Sequence, residues 1–234
     1  MRGAPIDILR RSQLLGRTST DSVVVIGLGR FGSGVARALA ELGHDVLAID
    51  TNAEAVQEHA GALGHVVQAD ATDLESLKQL GVPDFKHAVV SIGQNLEASV
   101  LTVLNLSQMG IKDIWAKANN QQHGRIAERV GAHHVVYPES DMGRRVAHLV
   151  TGKMIDFIEF EDGFGIAKTR APRETHGKPL SESAVRTRHG VTVVGIKRSH
   201  QDFLYAREDT VVKAGDLLIV SGPTEAVERF AARV

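Results

Sequence analysis

From residue 22 onward, short runs dominated by Val, Ile, Leu and Ala alternate with longer stretches of helical period, and this alternation restricts the chain more than any other feature. The runs fall at 23–26, 45–50, 65–70, 86–92, 113–117 and 133–137, and the helical stretches between them at 31–42, 53–63, 73–80, 96–109 and 121–130. Runs that are almost continuously apolar belong to strands covered on both faces, as in a parallel sheet with helices on either side. Six of them predict an α/β, doubly wound, Rossmann-like sheet. A further helix is expected at 141–151, after which the texture changes. "IDFIEF", "GIAKTRA", "VTVVGIKR" and "DLLIVSG" read as short strands parted by turns such as Asp162-Gly163 and Ala214-Gly215, with helices at 180–187 and 224–233. The expected organisation is an N-terminal arm (1–21), a Rossmann-like domain (22–138), a linking helix (139–152) and a small α+β module (153–234).

The first strand runs into Gly27-Leu28-Gly29-Arg30-Phe31-Gly32, a G-x-G-x-x-G between strand and helix, and the second strand ends in Asp50. In that context Gly27 serves a tight turn, Gly29 lets backbone approach a phosphate, and Gly32 lets the helix pack close to the strand. Phosphates would sit at the helix N-terminus, where free N–H groups and the dipole favour anions. Asp50 can accept bonds from both ribose hydroxyls and would repel a 2′-phosphate, while Thr51-Asn52 supplies no compensating arginine, so NADP is disfavoured. The bland reading of Asp50 is a strand-end acid capping the next helix. Arg30 places a guanidinium at the mouth of the phosphate site, which suits a third phosphate; a solvated first-turn arginine has the same spelling. "ADATD" (69–73) and "SIGQN" (91–95) end the third and fourth strands, where a ligand's base is met in open α/β sheets. Asp73 and Asn95 are equally good helix caps.

Reactive chemistry is hard to find elsewhere. The 234 residues include no cysteine, which excludes a disulfide framework, a thiolate nucleophile and thiolate metal sites, and fits a reducing cytoplasm. The formal charge of -1 gives no global attraction to nucleic acid or an anionic membrane. No apolar run approaches a membrane span, and the N-terminus lacks the apolar stretch of a signal peptide. The first twenty residues carry Arg2, Arg10, Arg11 and Arg17 and read as a solvated arm, or as one that contacts a partner or membrane through Ile8, Leu9, Leu14 and Leu15. The 11 histidines are scattered. His133 and His134 point to opposite faces of a strand. His44, His59, His65, His87, His123 and His148 fall at surface or capping positions, and no zinc-ligand spacing occurs. A dehydrogenase needs an acid or base beside the nicotinamide, and no such constellation is visible. A nucleotide pocket without chemistry suggests a sensor, with an NAD-dependent oxidoreductase carrying a compact substrate domain as the alternative.

Taken in order, "VIGLGRFG", "AIDTN", "ADATD", "VVSIGQNLEAS", "IWAKANN" and "YPESDMG" resemble the RCK (regulator of K⁺ conductance) proteins, the cytoplasmic gating subunits of bacterial Ktr/Trk potassium transporters, and the KtrA type most. "GVTVVGIKR" and "AGDLLIVSG" resemble the C-terminal RCK module, so the resemblance covers 22–234. It implies a non-enzymatic subunit that binds ATP, ADP or NAD(H) and controls K⁺ flux through a membrane pore-forming partner of the KtrB/TrkH kind. It also implies homodimers assembled into an octameric ring. By the same resemblance Gly27, Gly29, Arg30, Phe31 and Gly32 meet phosphates, and Asp50 and Asn52 the ribose. Asp70, Ala71 and Thr72 with Ile92 and Gly93 surround the base, and Lys117 lies near the phosphates. Glu139 matches an acid that helps hold Mg²⁺ or Ca²⁺ between subunits at the γ-phosphate. Some relatives pair their C-terminal modules around cyclic di-AMP, which here would involve 185–194.

Overall fold

The computed structural model describes residues 22–150 and 153–234, so the arm at 1–21 and the last two residues expected in the linking helix lie outside the described residues. The chain divides into two compact units at Glu139–Ser140.

In the first unit β1 (Ser22–Ile26), α1 (Arg30–Glu41), β2 (Asp45–Asp50), α2 (Ala53–His59), β3 (His65–Gln68), α3 (Leu74–Gln79), β4 (His87–Val90), α4 (Leu96–Gln108), β5 (Asp113–Lys117), α5 (Gln121–Val130) and β6 (His134–Val136) alternate as expected. The strands form one sheet in the order β3-β2-β1-β4-β5-β6, every neighbouring pair parallel. Side chains alternate across it. Val24, Ile26, Leu47 and Ile49 enter the core on one face, and Val23, Val25, Val46 and Ala48 enter the core on the other. Each fully buried aliphatic side chain contributes about 1.5–3 kcal/mol, which is why these strands read as unbroken apolar runs. The chain order reverses between β1 and β4, and a crevice opens there at the carboxyl ends of the strands.

Elements expected to be longer stop where side chains take over the backbone. β3 ends at Gln68 because Asp70 Oδ1 accepts both the amide and the hydroxyl of Thr72, folding the chain into a turn. β4 ends at Val90; one further bond, Ser91 N–H to the Ile26 carbonyl at 2.8 Å, extends its pairing before the chain leaves the sheet. α2 stops at His59 rather than at 63.

The second unit holds most of α6 (Pro138–Val150), then β7 (Met154–Phe160), β8 (Phe164–Arg170), α7 (Leu180–Ser183), α8 (Val185–His189), β9 (Thr192–Lys197), β10 (Phe203–Tyr205), β11 (Leu217–Pro223) and α9 (Thr224–Ala231). Its sheet, β10-β9-β11-β8-β7, is antiparallel throughout. Phe157, Ile196, Leu218, Val220, Val227 and Phe230 make its core, largely between the sheet and α9. The single helix expected at 180–187 is broken into α7 and α8 by Ala184, whose φ of 48° is left-handed. β10 carries no strand signal in the sequence, being three exposed residues, but the ring of Phe203 lies where a side chain on Gly195 would be. α6 begins three residues before the helix expected at 141–151. Arg145 pairs with Asp156 at 2.6 Å and His148 with Glu228 at 2.8 Å, and none of its residues is buried. Among the described residues no helix is long and apolar enough to cross a membrane.

Candidate nucleotide-binding site

The crevice above β1 and β4 has a volume of about 900 Å³, and its wall includes Gly27, Gly29, Arg30, Phe31, Asp50, Asp70, Ala71, Thr72, Ile92, Gly93, Lys117 and Glu139. Among the residues expected at the site, Asn52 and Gly32 are not part of that wall, and both have other work. Asn52 Oδ1 caps α2 by accepting from Glu54 N–H at 2.8 Å and Ala55 N–H at 3.4 Å. Gly32 forms the joint under the loop: a Cβ there would lie 1.9 Å from the Gly27 carbonyl oxygen and 2.2 Å from Ser91 Oγ. Ser91 donates to that same carbonyl at 2.6 Å, and Gly27 has a φ of +94°, a conformation glycine adopts readily.

Asp50 is not a helix cap. Its Oδ2 accepts from Leu28 N–H at 2.5 Å and its Oδ1 from Asn52 N–H at 2.8 Å, so the carboxylate is fixed across the glycine turn. Each oxygen keeps a second lone-pair direction for a further donor such as a ribose hydroxyl. α1 begins at Arg30 behind Gly29, and no side chain caps it. The side chains of Asn52, Asp73, Asn95 and Asn120 cap α2, α3, α4 and α5. The first amides of α1 therefore keep their hydrogen-bonding capacity and their share of the helix dipole at the crevice.

Charge gathers at one end. Lys117 Nζ, on a side chain only 12% exposed, donates to Glu139 Oε1 at 2.7 Å. That bond is the main reason the Glu139 carboxyl is held below the ordinary range, and the charge of Arg30 adds to it. Arg30 is exposed, and its guanidinium makes no hydrogen bond among the described residues. Among the described residues no group of three or more His, Asp or Glu side chains is arranged to hold a metal ion.

Three supporting residues escaped the sequence reading. Asn105 of α4, 9% exposed, donates from Nδ2 to the carbonyls of Ala71 at 3.2 Å and Thr72 at 2.9 Å, pinning the "ADATD" turn. The Asn119 side chain donates to the Gly93 carbonyl, joining the turns after β4 and β5. His123, expected at a surface or capping position, is 3% exposed; its Nδ1 faces Asn119 N–H at 3.4 Å and its Nε2 faces Ser99 Oγ of α4 at 3.0 Å. His59 is likewise buried, with Nδ1 3.2 Å from Arg37. All of these contacts join residues distant in sequence or hide a polar group in a helix face, and neither leaves a local signature.

The other end of the sheet is occupied by its own side chains. Asp113 takes His87 at 2.9 Å, His134 at 3.2 Å and the Trp115 indole at 3.2 Å, and Trp115 stacks on His134 with ring centroids 4.2 Å apart. Burial raises the Asp113 pKa, but the hydrogen bonds from His87 and Trp115 outweigh it and leave the carboxyl below its ordinary range. His133 turns elsewhere, accepting from Ile114 N–H at 3.1 Å, so the adjacent histidines do serve separate partners.

Comparison with known proteins agrees with this architecture. Residues 23–138 match the TrkA-N domain and residues 171–234 the TrkA-C domain. The chain is 37% identical over 211 residues to the Ktr system potassium uptake protein C of Bacillus subtilis, covering 90% of this chain and 96% of that one. It is 36% identical over 212 residues to the Ktr system potassium uptake protein A of Vibrio alginolyticus, covering 89% and 96%. Among solved structures, the GsuK channel bound to NAD has the same fold at a TM-score of 0.63 with 19% identity, over 92% of this chain and 40% of that longer one. The chain belongs to the family of Ktr system potassium uptake proteins A and C, built from a TrkA-N and a TrkA-C domain.

Proposed function

We propose that this protein is the regulatory subunit of a potassium uptake system, binding an adenine nucleotide in the crevice and controlling K⁺ flux through a pore-forming membrane partner, without catalysing a reaction. The observation that carries the reading is the uncapped start of α1 facing a carboxylate already fixed at the ribose position by Leu28 N–H. Gly27, Gly29, Arg30 and Phe31 then cradle the phosphates, with Gly32 seating α1 beneath the loop. Asp50, aided by the Asn52 amide, holds the ribose, and Asp70, Ala71 and Thr72 with Ile92 and Gly93 enclose the base. ATP and ADP are the favoured ligands because Arg30 and Lys117 stand where additional phosphate charge would need compensation; NAD(H) fits the same ribose and phosphate contacts. Glu139 is the ligand this chain can offer to Mg²⁺ or Ca²⁺, with phosphate oxygens and a second subunit completing the set.

Self-association suits the surfaces. α6 exposes Met142, Val146 and Val150, one stripe at four-residue spacing. The first unit carries an apolar groove of about 420 Å³ lined by Val35, Leu39, Val89, Trp115 and Val136 among others. Leu96 and Leu101 of α4 and Ile126 of α5 are also exposed. A dimer that closes into an octameric ring needs two such interfaces. In the second unit a cavity of about 540 Å³, whose lining includes Arg186, Thr192, Val193, Ala206, Arg207 and Glu208, supports cyclic di-AMP as a second ligand, since two arginines in its wall can meet phosphates.

The deciding experiment is calorimetric titration with ATP, ADP, NADH and cyclic di-AMP, followed by flux through proteoliposomes containing the copurified membrane partner. Nucleotide binding that changes K⁺ flux supports the reading; hydride transfer from bound NADH to a metabolite would overturn it.

A further inference from the structure

We propose that His123 is a positioning residue for the crevice, and that protonation of its ring releases the turns closing over the bound nucleotide, making affinity acid-sensitive. This rests on the crevice being the nucleotide site.

The argument begins with hydrogen-bond polarity. Asn119 N–H can only donate, so the Nδ1 it faces must be the unprotonated ring nitrogen, and the ring proton lies on Nε2, directed at Ser99 Oγ. The neutral ring thus bridges α4 and the β5–α5 turn. Asn119, whose backbone the ring holds, grips the Gly93 carbonyl through its side chain. A side chain on Gly93 would meet Asn119 Oδ1 at 3.1 Å and Lys117 Nζ at 3.2 Å, so the turns after β4 and β5 and the Lys117 ammonium are packed as one piece at the edge of the crevice. His123 is the buried pin under that piece.

A proton on Nδ1 would set N–H against N–H and place a charge on a ring that no carboxylate bonds among the described residues. Around the ring, α4 contributes Ser99, with Glu97 exposed at its start. The β5–α5 turn contributes Asn119 and Asn120. Arg125, on α5 itself, is exposed, and Tyr137 packs on the neighbouring Gly124. Lys117 and Glu139 pair with each other, not with the ring. Burial alone accounts for the lowered pKa of His123. A protonated ring is accommodated only by moving the Asn119 turn, and linkage then requires that a ligand which holds that turn shut also resist protonation of the ring.

The test is ATP affinity of the full chain between pH 8 and 5.5, measured for the wild type and for His123→Gln. Because burial lowers the His123 pKa, the wild type is expected to hold its affinity down to the ordinary imidazole value of 6.5 and to lose up to about tenfold per pH unit only below it, beyond what protonation of ATP itself causes. In His123→Gln, which binds without titrating, that excess slope disappears, and affinity at pH 8 falls a few-fold. Ser99→Ala is the gentler variant: the titrating ring remains but is less firmly held, so affinity at pH 8 also falls while the acid slope persists. An unchanged slope in His123→Gln, or wild-type affinity in Ser99→Ala, would overturn the role of His123. Absence of binding by the wild type at every pH would instead remove the nucleotide site itself, and the two failures are distinguishable.

Discussion

The two ends of the six-stranded sheet are built from the same strands and do opposite things with their polar groups. At the amino end Asp113 already pairs with two imidazoles and an indole, all from the sheet's own strands. At the carboxyl end α1 starts without a side-chain cap, and Asp50, although fixed, retains lone pairs directed away from its backbone partners. The difference teaches where a ligand can contribute. A corner that has met its own hydrogen-bonding needs gains little from a guest, whereas an uncapped helix start beside a fixed carboxylate gains a bond for each donor or acceptor it is offered.

Substitutions at the two ends should break this contrast in graded fashion. The largest effect is expected from Gly32→Ala, since its methyl must displace the Gly27 carbonyl backbone. Nucleotide binding should vanish and stability fall by about 2–3 kcal/mol, read as the loss of ligand-induced melting shift and a lower Tm. Asp50→Ala removes the ribose acceptor together with the latch on Leu28 N–H, and calorimetry should show about 10- to 100-fold weaker binding of ATP and ADP alike. Arg30→Ala should discriminate, weakening ATP about tenfold more than ADP; equal losses would detach Arg30 from the terminal phosphate. Glu139→Gln is expected to shrink the Mg²⁺ or Ca²⁺ dependence of ATP-driven flux several-fold, and an unchanged dependence would take Glu139 out of that role. The smallest effect belongs to the closed corner. Asp113→Asn should leave nucleotide affinity unchanged and cost about 1 kcal/mol at neutral pH. Because the folded-state pKa of Asp113 is depressed, its contribution is present above the unfolded carboxylate pKa and is lost as pH falls through the folded value. The variant and the wild type should therefore converge in Tm at strongly acid pH. A nucleotide phenotype in Asp113→Asn would mean that the two ends are not independent.

The strands were legible because burial on both faces writes nearly continuous apolar runs of strand length, set between helical stretches, and the crevice because a tight turn, a helix start and an acid are spaced along a single β–α–β stretch. Their supports were not legible. Ser91 reaches the Gly27 carbonyl across 64 positions and Asn105 reaches the turn at 71–72 across 33 and 34, distances at which spacing carries no information. His123 looked like a surface residue because a single histidine in a helix gives no hint that its ring enters the core. β10 was missed for another reason: a short exposed strand is set by its neighbour, Gly195 under Phe203, and the break at Ala184 is a single left-handed alanine that leaves no mark in the sequence.

The joint at Gly32 also bears on how a signal could leave the crevice. With α1 seated against the Gly27 carbonyl and Ser91 bonded to the same atom, the loop and the helix leave no room for a methyl between them, and under the proposed function a phosphate held by the loop would press on a tightly seated helix. In that case α1 would act as a strut, and a shift at the loop would be felt along the helix rather than lost at its first turn.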